Sequence, residues 1–159
     1  MTSRPPPPSS VAANPGRPHL IARRRPGYLV HDLLFTPNGR QVWITSANSA
    51  NVGVFSAHTR RLLFRVRGGP PPQHVVFGGR YAYITSGYGS SIEQVSLADG
   101  RVLERAPAPY GSFDLDVGGG YVVTSSALRG TLAIYDTRLR LLRVRHIATS
   151  AEDVILYQP

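Results

Sequence analysis

The 159 residues include no cysteine and no lysine. Without cysteine the chain has no disulfide, no thiolate metal site and no cysteine nucleophile. All 18 basic residues are arginine, and the formal net charge is +9. Two readings of that bias stand: a coding sequence rich in arginine codons, or use of the forked guanidinium toward phosphate or carboxylate. No run of about 18 consecutive apolar residues occurs, which excludes a membrane-spanning helix. The opening stretch MTSRPPPPSSVAANPGRP lacks the apolar core of a signal peptide. The expectation is therefore a cytoplasmic chain, or an exported one if a signal-bearing half precedes it. Catalytic motifs are missing as well. There is no Gly-x-Ser-x-Gly elbow, and no glycine loop leads into a helix to cradle phosphate. No histidine pair has the helical spacing of a zinc site.

What is present is apolar material in short runs. Hydrophobic residues make up 42% of the chain, with 16 glycines and 14 prolines to break them up, a composition of many turns and many strands. Residues 1–16 are Pro-, Ser-, Ala- and Asn-rich and hold almost nothing to bury, so they are expected to be a disordered tail. From His31 the chain repeats. Trp43-Ile44-Thr45-Ser46 returns as Tyr83-Ile84-Thr85-Ser86 and, one residue early, as Val122-Val123-Thr124-Ser125. Val52, Ile92 and Leu132 follow in step, then Phe55-Ser56, Val95-Ser96 and Tyr135-Asp136, and a fourth anchor lies at Phe35, Phe77, Val117 and Leu156.

Each unit carries four short β-branched or aromatic runs, in the first unit His31–Phe35, Gln41–Ser46, Asn51–Ser56 and Arg61–Val66. Turn residues separate them: Asn38-Gly39, Gly78-Gly79 and Gly118-Gly119-Gly120 suit the positive φ of a hairpin. Proline-rich joints at 68–72 and 107–111 suit a crossing between sheets. Four strands in about 40 residues, repeated, predict propeller blades. The expected fold class is all-β, a propeller segment of about three and a half four-stranded antiparallel blades. Its divisions are 17–30 (a lone outer strand and joint), 31–72, 73–112 and 113–152 (three blades) and 153–159 (a lone inner strand). Such a chain is expected to be one part of a ring, with the remaining blades upstream or supplied by another chain.

The segment from Tyr83 to Ile92 with Gly100-Arg101-Val102-Leu103, and the segment from Phe35 to Thr45, resemble the YVTN β-propeller repeat of YncE-like and lactonase-like seven-bladed propellers. The resemblance runs from about residue 18 to 159 and concerns residues that build strands and turns. It implies a propeller architecture and is compatible with a lactonase-like hydrolase site at the mouth of the central channel.

Aligned on their fourth anchor, the units place Asp32, His74, Asp114 and Asp153 at one position and His31, Gln73, Phe113 and Glu152 just before it. In a propeller the first strand of each blade lines the channel, so these residues are candidates for a polar ring at one mouth. Imidazole and carboxylates there suit a divalent metal or a small cationic ligand; capping of loop backbone explains the same residues without a ligand. His19, His58 and His146 fall in or beside turns and strand ends. Arg60, Arg61, Arg65 and Arg67 cluster around the first unit's fourth strand, and Arg138, Arg140, Arg143 and Arg145 around the third's. They predict a basic rim, either solvated or meeting an acidic protein. Nucleic acid is not favoured, because no aromatic platform is interleaved with the arginines. The favoured function is a non-catalytic interaction or ligand-binding module with no cofactor, whose partner is a protein or a second copy completing the ring. The alternatives are a lactonase-like hydrolase and a truncated product without independent function.

Overall fold

The computed structural model describes residues 23, 25–67, 69 and 71–157. The expected tail, His19, most of the expected lone outer strand, and Gly68 and Pro70 of the first joint lie outside the described residues. Among those described there is no helix. Twelve strands follow in order: β1 Val30–Phe35, β2 Gln41–Ser46, β3 Val52–Ser56, β4 Leu62–Val66, β5 Val75–Gly78, β6 Tyr81–Ser86, β7 Ser91–Ser96, β8 Val102–Pro107, β9 Ser112–Gly118, β10 Tyr121–Ser126, β11 Thr131–Asp136 and β12 Leu141–His146. They form three four-stranded sheets, β1–β4, β5–β8 and β9–β12, each a meander of neighbouring antiparallel strands. The stretch 137–146, in which helix-compatible residues are common, ends as strand β12, as its alignment with the other fourth strands requires.

The turns follow from local chemistry. Gly119 and Gly120 both have positive φ, 58° and 85°, which a two-residue hairpin needs and which glycine adopts without a Cβ clash. Between the third and fourth strands of each sheet one residue lies in the left-handed region: Arg60, Gly100 and Leu139. Each is followed by a slip in pairing, after Val54, Gln94 and Ile134, the signature of a left-handed residue feeding a bulge.

One expected register is corrected. Trp43 pairs with Val54, Tyr83 with Gln94 and Val123 with Ile134. Val123–Ser126, not Val122–Ser125, is therefore the third copy of Trp43–Ser46. The third unit is shortened by one residue in the β11–β12 turn and not before β10. Chemistry confirms the shift. Ser46, Ser86 and Ser126 each accept the amide of the residue three further on, Ser49, Gly89 and Arg129, at 2.9, 3.1 and 3.0 Å. The adjacent serines at 125 and 126, together with the single Thr124, allow the sequence to be matched in either frame.

Alternation along the central strands sends one set of side chains to each neighbouring sheet. Trp43, Val52, Val54 and Val66 of the first sheet pack with Val75, Ala82, Ile84 and Val95 of the second. Tyr83, Ile92 and Ala106 of the second pack with Leu115, Val122, Ala133 and Tyr135 of the third. The inner strand β5 touches both β1 and β9, so the heads of the inner strands meet along one edge.

The two outward faces are only partly covered. Leu33 and Phe35 are 48% and 58% exposed on the first sheet, and every residue of β12 is exposed on the third. On the first sheet Tyr28 closes part of the gap. Its hydroxyl donates to the Ile44 carbonyl at 2.6 Å and accepts the Gly53 amide at 2.7 Å, bridging β2 and β3 at the last pair of their ladder.

Candidate functional site

The inner edge is joined by a tie that repeats. The Thr45 hydroxyl on β2 donates to the Gln73 carbonyl at 2.6 Å, that of Thr85 on β6 to Phe113 at 2.9 Å, and that of Ser125 on β10 to Glu152 at 2.8 Å. The donors are buried, and each acceptor stands immediately before the repeat-equivalent residues His74, Asp114 and Asp153 in the chain. The tie therefore fixes where the head of each following inner strand lies.

The third tie holds the stretch expected as a lone inner strand. Residues 151–157 form no ladder. Instead the Val154 and Leu156 amides donate to the carboxylates of Asp114 and Asp116 on β9, at 2.9 and 2.7 Å. Exposure alternates along it, with Asp153, Ile155 and Tyr157 outward, the two-residue period of an extended segment.

These ties bring the predicted mouth residues together. His31, Gln73, His74, Tyr88, Phe113, Asp114, Glu152 and Asp153 line an open cleft of about 250 Å³. All but Tyr88 come from the two repeat positions at the heads of successive inner strands. Asp32 stands behind them: His74 Nδ1 donates to its Oδ2 at 3.3 Å, and Asp114 Oδ1 lies 3.9 Å from the same nitrogen. One imidazole on the second sheet thus sits between carboxylates of the first and third. The His31 ring meets it edge-on, with centroids 5.2 Å apart.

The electrostatics follow the geometry. The hydrogen bond to Asp32 raises the His74 pKa above the usual histidine value; burial opposes this, and the charges of Asp32, Asp114 and Asp153 add to it. Burial pushes Asp32 upward, but its hydrogen bonds from His74 and the Leu33 amide, with the charges of His74 and His31, outweigh burial and hold it below the usual carboxylate value. The pair is therefore biased toward imidazolium and carboxylate.

The floor of the cleft depends on a glycine. Gly87 donates its amide to Gln73 Oε1 at 2.9 Å. A Cβ there would stand 2.2 Å from the Phe113 ring and 2.8 Å from that same oxygen. Tyr88 follows it and packs against Phe113, centroids 5.1 Å apart. Sequence reasoning missed Tyr88, since the repeat frame marked it only as turn. As a metal site the mouth is not assembled: no group of three or more histidine or acidic side chains converges on a metal position among the described residues.

The predicted rim arginines lie exposed at the outer strands and their turns. Arg65 and Arg105 have these partners. Arg65 donates to the Pro26 carbonyl at 3.0 Å and lies over the Tyr28 ring, 5.8 Å from its centroid. Arg105 on β8 pairs at 2.5 Å with Glu93, a buried carboxylate on β7; burial raises the Glu93 pKa despite that partner. His58 lies in the β3–β4 turn and His146 ends β12, both exposed, away from the residues that line the cleft.

No protein-family model matches the chain, and no curated protein matches it in sequence. Solved structures do match in shape. Hydrazine synthase of Kuenenia stuttgartiensis superimposes with a TM-score of 0.72 at 13% identity, over 82% of this chain and 42% of that one. BamB from Moraxella catarrhalis gives 0.66 at 12%, over 78% and 39%. The WD40 β-propeller domain of Doa1 gives 0.64 at 18%, over 79% and 44%. The chain spans less than half the length of each. Likeness at this level of identity establishes the fold: three four-stranded blades of a β-propeller.

Proposed function

We propose that the chain is a non-catalytic propeller module of the YVTN type that recognises a ligand at the mouth of its channel. One observation carries the reading. Residues about 40 apart in sequence, from three sheets and the segment after them, converge on one cleft, and every lining residue except Tyr88 belongs to the two repeated head positions. Convergent polar groups in a concave site, with one imidazole shifted by its neighbours, support a binding role for it. A thermal-shift screen of small molecules tests it, because native-state binding raises stability. Ligands should stabilise the chain, and Tyr88→Ala, an exposed substitution in the wall of the cleft, should abolish that stabilisation without lowering the unliganded melting temperature. Stabilisation that survives Tyr88→Ala and Asp153→Asn counts against the mouth as the site.

A hydrolase reading draws on the His74–Asp32 pair, an imidazole oriented by a carboxylate as a general base requires. It predicts lactone hydrolysis that His74→Gln abolishes; a panel of lactones left intact by the unsubstituted chain would exclude it.

The module also needs a partner on its outward faces, either a protein or a second copy. Exposed Leu33 and Phe35 on the first sheet, and Tyr121 and Leu142 on the third, support this, because apolar sheet faces without cover associate. Size-exclusion chromatography with light scattering should show a dimer or larger species; a monomer that unfolds cooperatively at every concentration would refute it.

A further inference from the structure

We propose that the mouth cleft takes an organic cation, a guanidinium or alkylammonium group whose own molecule supplies a hydrogen-bond acceptor. This rests on the mouth being the recognition site and names what it recognises.

The charge distribution is the first ground. The chain is strongly basic and has nine acidic residues, yet Asp32, Asp114, Glu152 and Asp153 gather at the mouth, and no arginine lines the cleft. Two of these carboxylates are engaged, Asp32 by His74 and the Leu33 amide and Asp114 by the Val154 amide. Glu152 and Asp153 are exposed in the cleft wall, and neither carboxylate accepts a hydrogen bond from a described residue. They present negative charge to whatever enters.

The second ground is independent of charge. Gln73 lines the cleft while 6% exposed. The Gly87 amide occupies its Oε1, which fixes the amide's orientation and leaves Nε2 as the end without an acceptor among the described residues. That Nε2 is not sealed from solvent, so it is a donor open to an acceptor carried by a ligand in the cleft.

The aromatic wall decides between a metal and an organic cation. Tyr88 and Phe113 offer aromatic rings, whose faces hold guanidinium and ammonium groups, and the described residues assemble no metal-holding group. The volume sets the size. At about 250 Å³ the cleft falls below the range of roughly 300–1,000 Å³ usual for drug-sized ligands. It fits one amino-acid-sized cation or one side chain of a peptide.

Titration of the full chain with acetyl-arginine amide, followed by calorimetry and by the histidine resonances in NMR, tests the proposal. Saturable binding is expected, and acetyl-citrulline amide, of the same shape without the charge, should bind at least about tenfold more weakly. The exposed double substitution Glu152→Gln, Asp153→Asn should cost about tenfold or more for the arginine probe while leaving circular dichroism unchanged. Free arginine run beside the amide separates the sources: tighter binding of the amide assigns the site to a peptide side chain, tighter binding of the free amino acid to a small metabolite. Equal affinity for the citrulline probe, indifference to the double substitution, or no saturable response overturns the cation. If the arginine probe binds but the His31 and His74 resonances stay fixed, the mouth reading itself fails. If a neutral molecule moves those resonances, the mouth stands and the cation falls.

Discussion

Replacing Thr85 with valine keeps the shape of a fully buried side chain and deletes one hydroxyl. That hydroxyl donates to the Phe113 carbonyl at 2.9 Å and lies 3.4 Å from the His74 amide as an acceptor. The net value of one such hydrogen bond is about 0.5–1.5 kcal/mol, and a buried carbonyl left without its donor costs about 1–3 kcal/mol. No contact replaces it, because the added methyl meets a polar atom. Thr85→Val should therefore destabilise the chain by about 1–3 kcal/mol, which for this length lowers the melting temperature by very roughly 2–10 °C. Thr45→Val, which frees the Gln73 carbonyl, should fall in the same range. Urea unfolding followed by circular dichroism measures both, with the midpoint moving and the slope unchanged. Ser125→Ala provides the contrast. Its tie holds only the segment after Glu152, so global stability should change by less than about 0.5 kcal/mol, while amide exchange at Val154 and Leu156 should accelerate. If both threonine substitutions cost less than about 0.5 kcal/mol, the hydroxyls are not what joins one blade to the next.

Three further outcomes follow from contacts already described. Gly87→Ala drives a methyl into the Phe113 ring and should cost about 1–3 kcal/mol as overpacking, read by thermal melting, together with loss of any ligand at the mouth. Trp43→Ala empties the centre of the first interface, where the indole meets Phe64 and Phe77 edge-on; a loss of about 3–5 kcal/mol is expected, measured by denaturant unfolding. The His74–Asp32 pair sets a pH window. The folded His74 pKa lies above its unfolded value, so its contribution is complete below that unfolded value and fades as pH rises through the folded one. Asp32 is depressed, so its contribution is present above its unfolded value and fades as pH falls through the folded one. The stability gap between the chain and His74→Gln should be greatest between about pH 4 and about pH 6.5 and shrink above that. A gap that widens from about pH 6 to about pH 8 would contradict the assignment. The charges of Asp114 and Asp153 add to that of Asp32 in holding the imidazole protonated.

The blades were legible because burial forces a period on the sequence. Val52 and Ile92 hold the same place at successive interfaces, and both are fully buried. The frame of the third unit was not legible, because the sequence around Thr124 reads equally well in two registers and only hydrogen bonding at Ser126 and pairing at Val123 distinguish them. The mouth positions could be found by alignment, since they lie three and four residues before the repeated anchors Phe35, Phe77, Val117 and Leu156. Tyr88 could not: its place depends on the fit of Gly87 beneath Phe113, a contact between sheets that no local pattern encodes. The pairing of Glu93 with Arg105 was hidden for a similar reason. In the sequence Arg105 reads as one more cation of the rim, and only the cross-strand register of β7 and β8 reveals its partner.

The hydroxyl–carbonyl ties all point one way along the chain, from a donor on the second strand of a sheet to an acceptor in the stretch that follows that sheet. Any duplicated stretch of one repeat length would therefore bring its own donor and its own acceptor, and would graft between existing units with no new chemistry at either seam. A fold of this kind lengthens by copying, and selection afterwards needs only to edit the few head residues that face the axis.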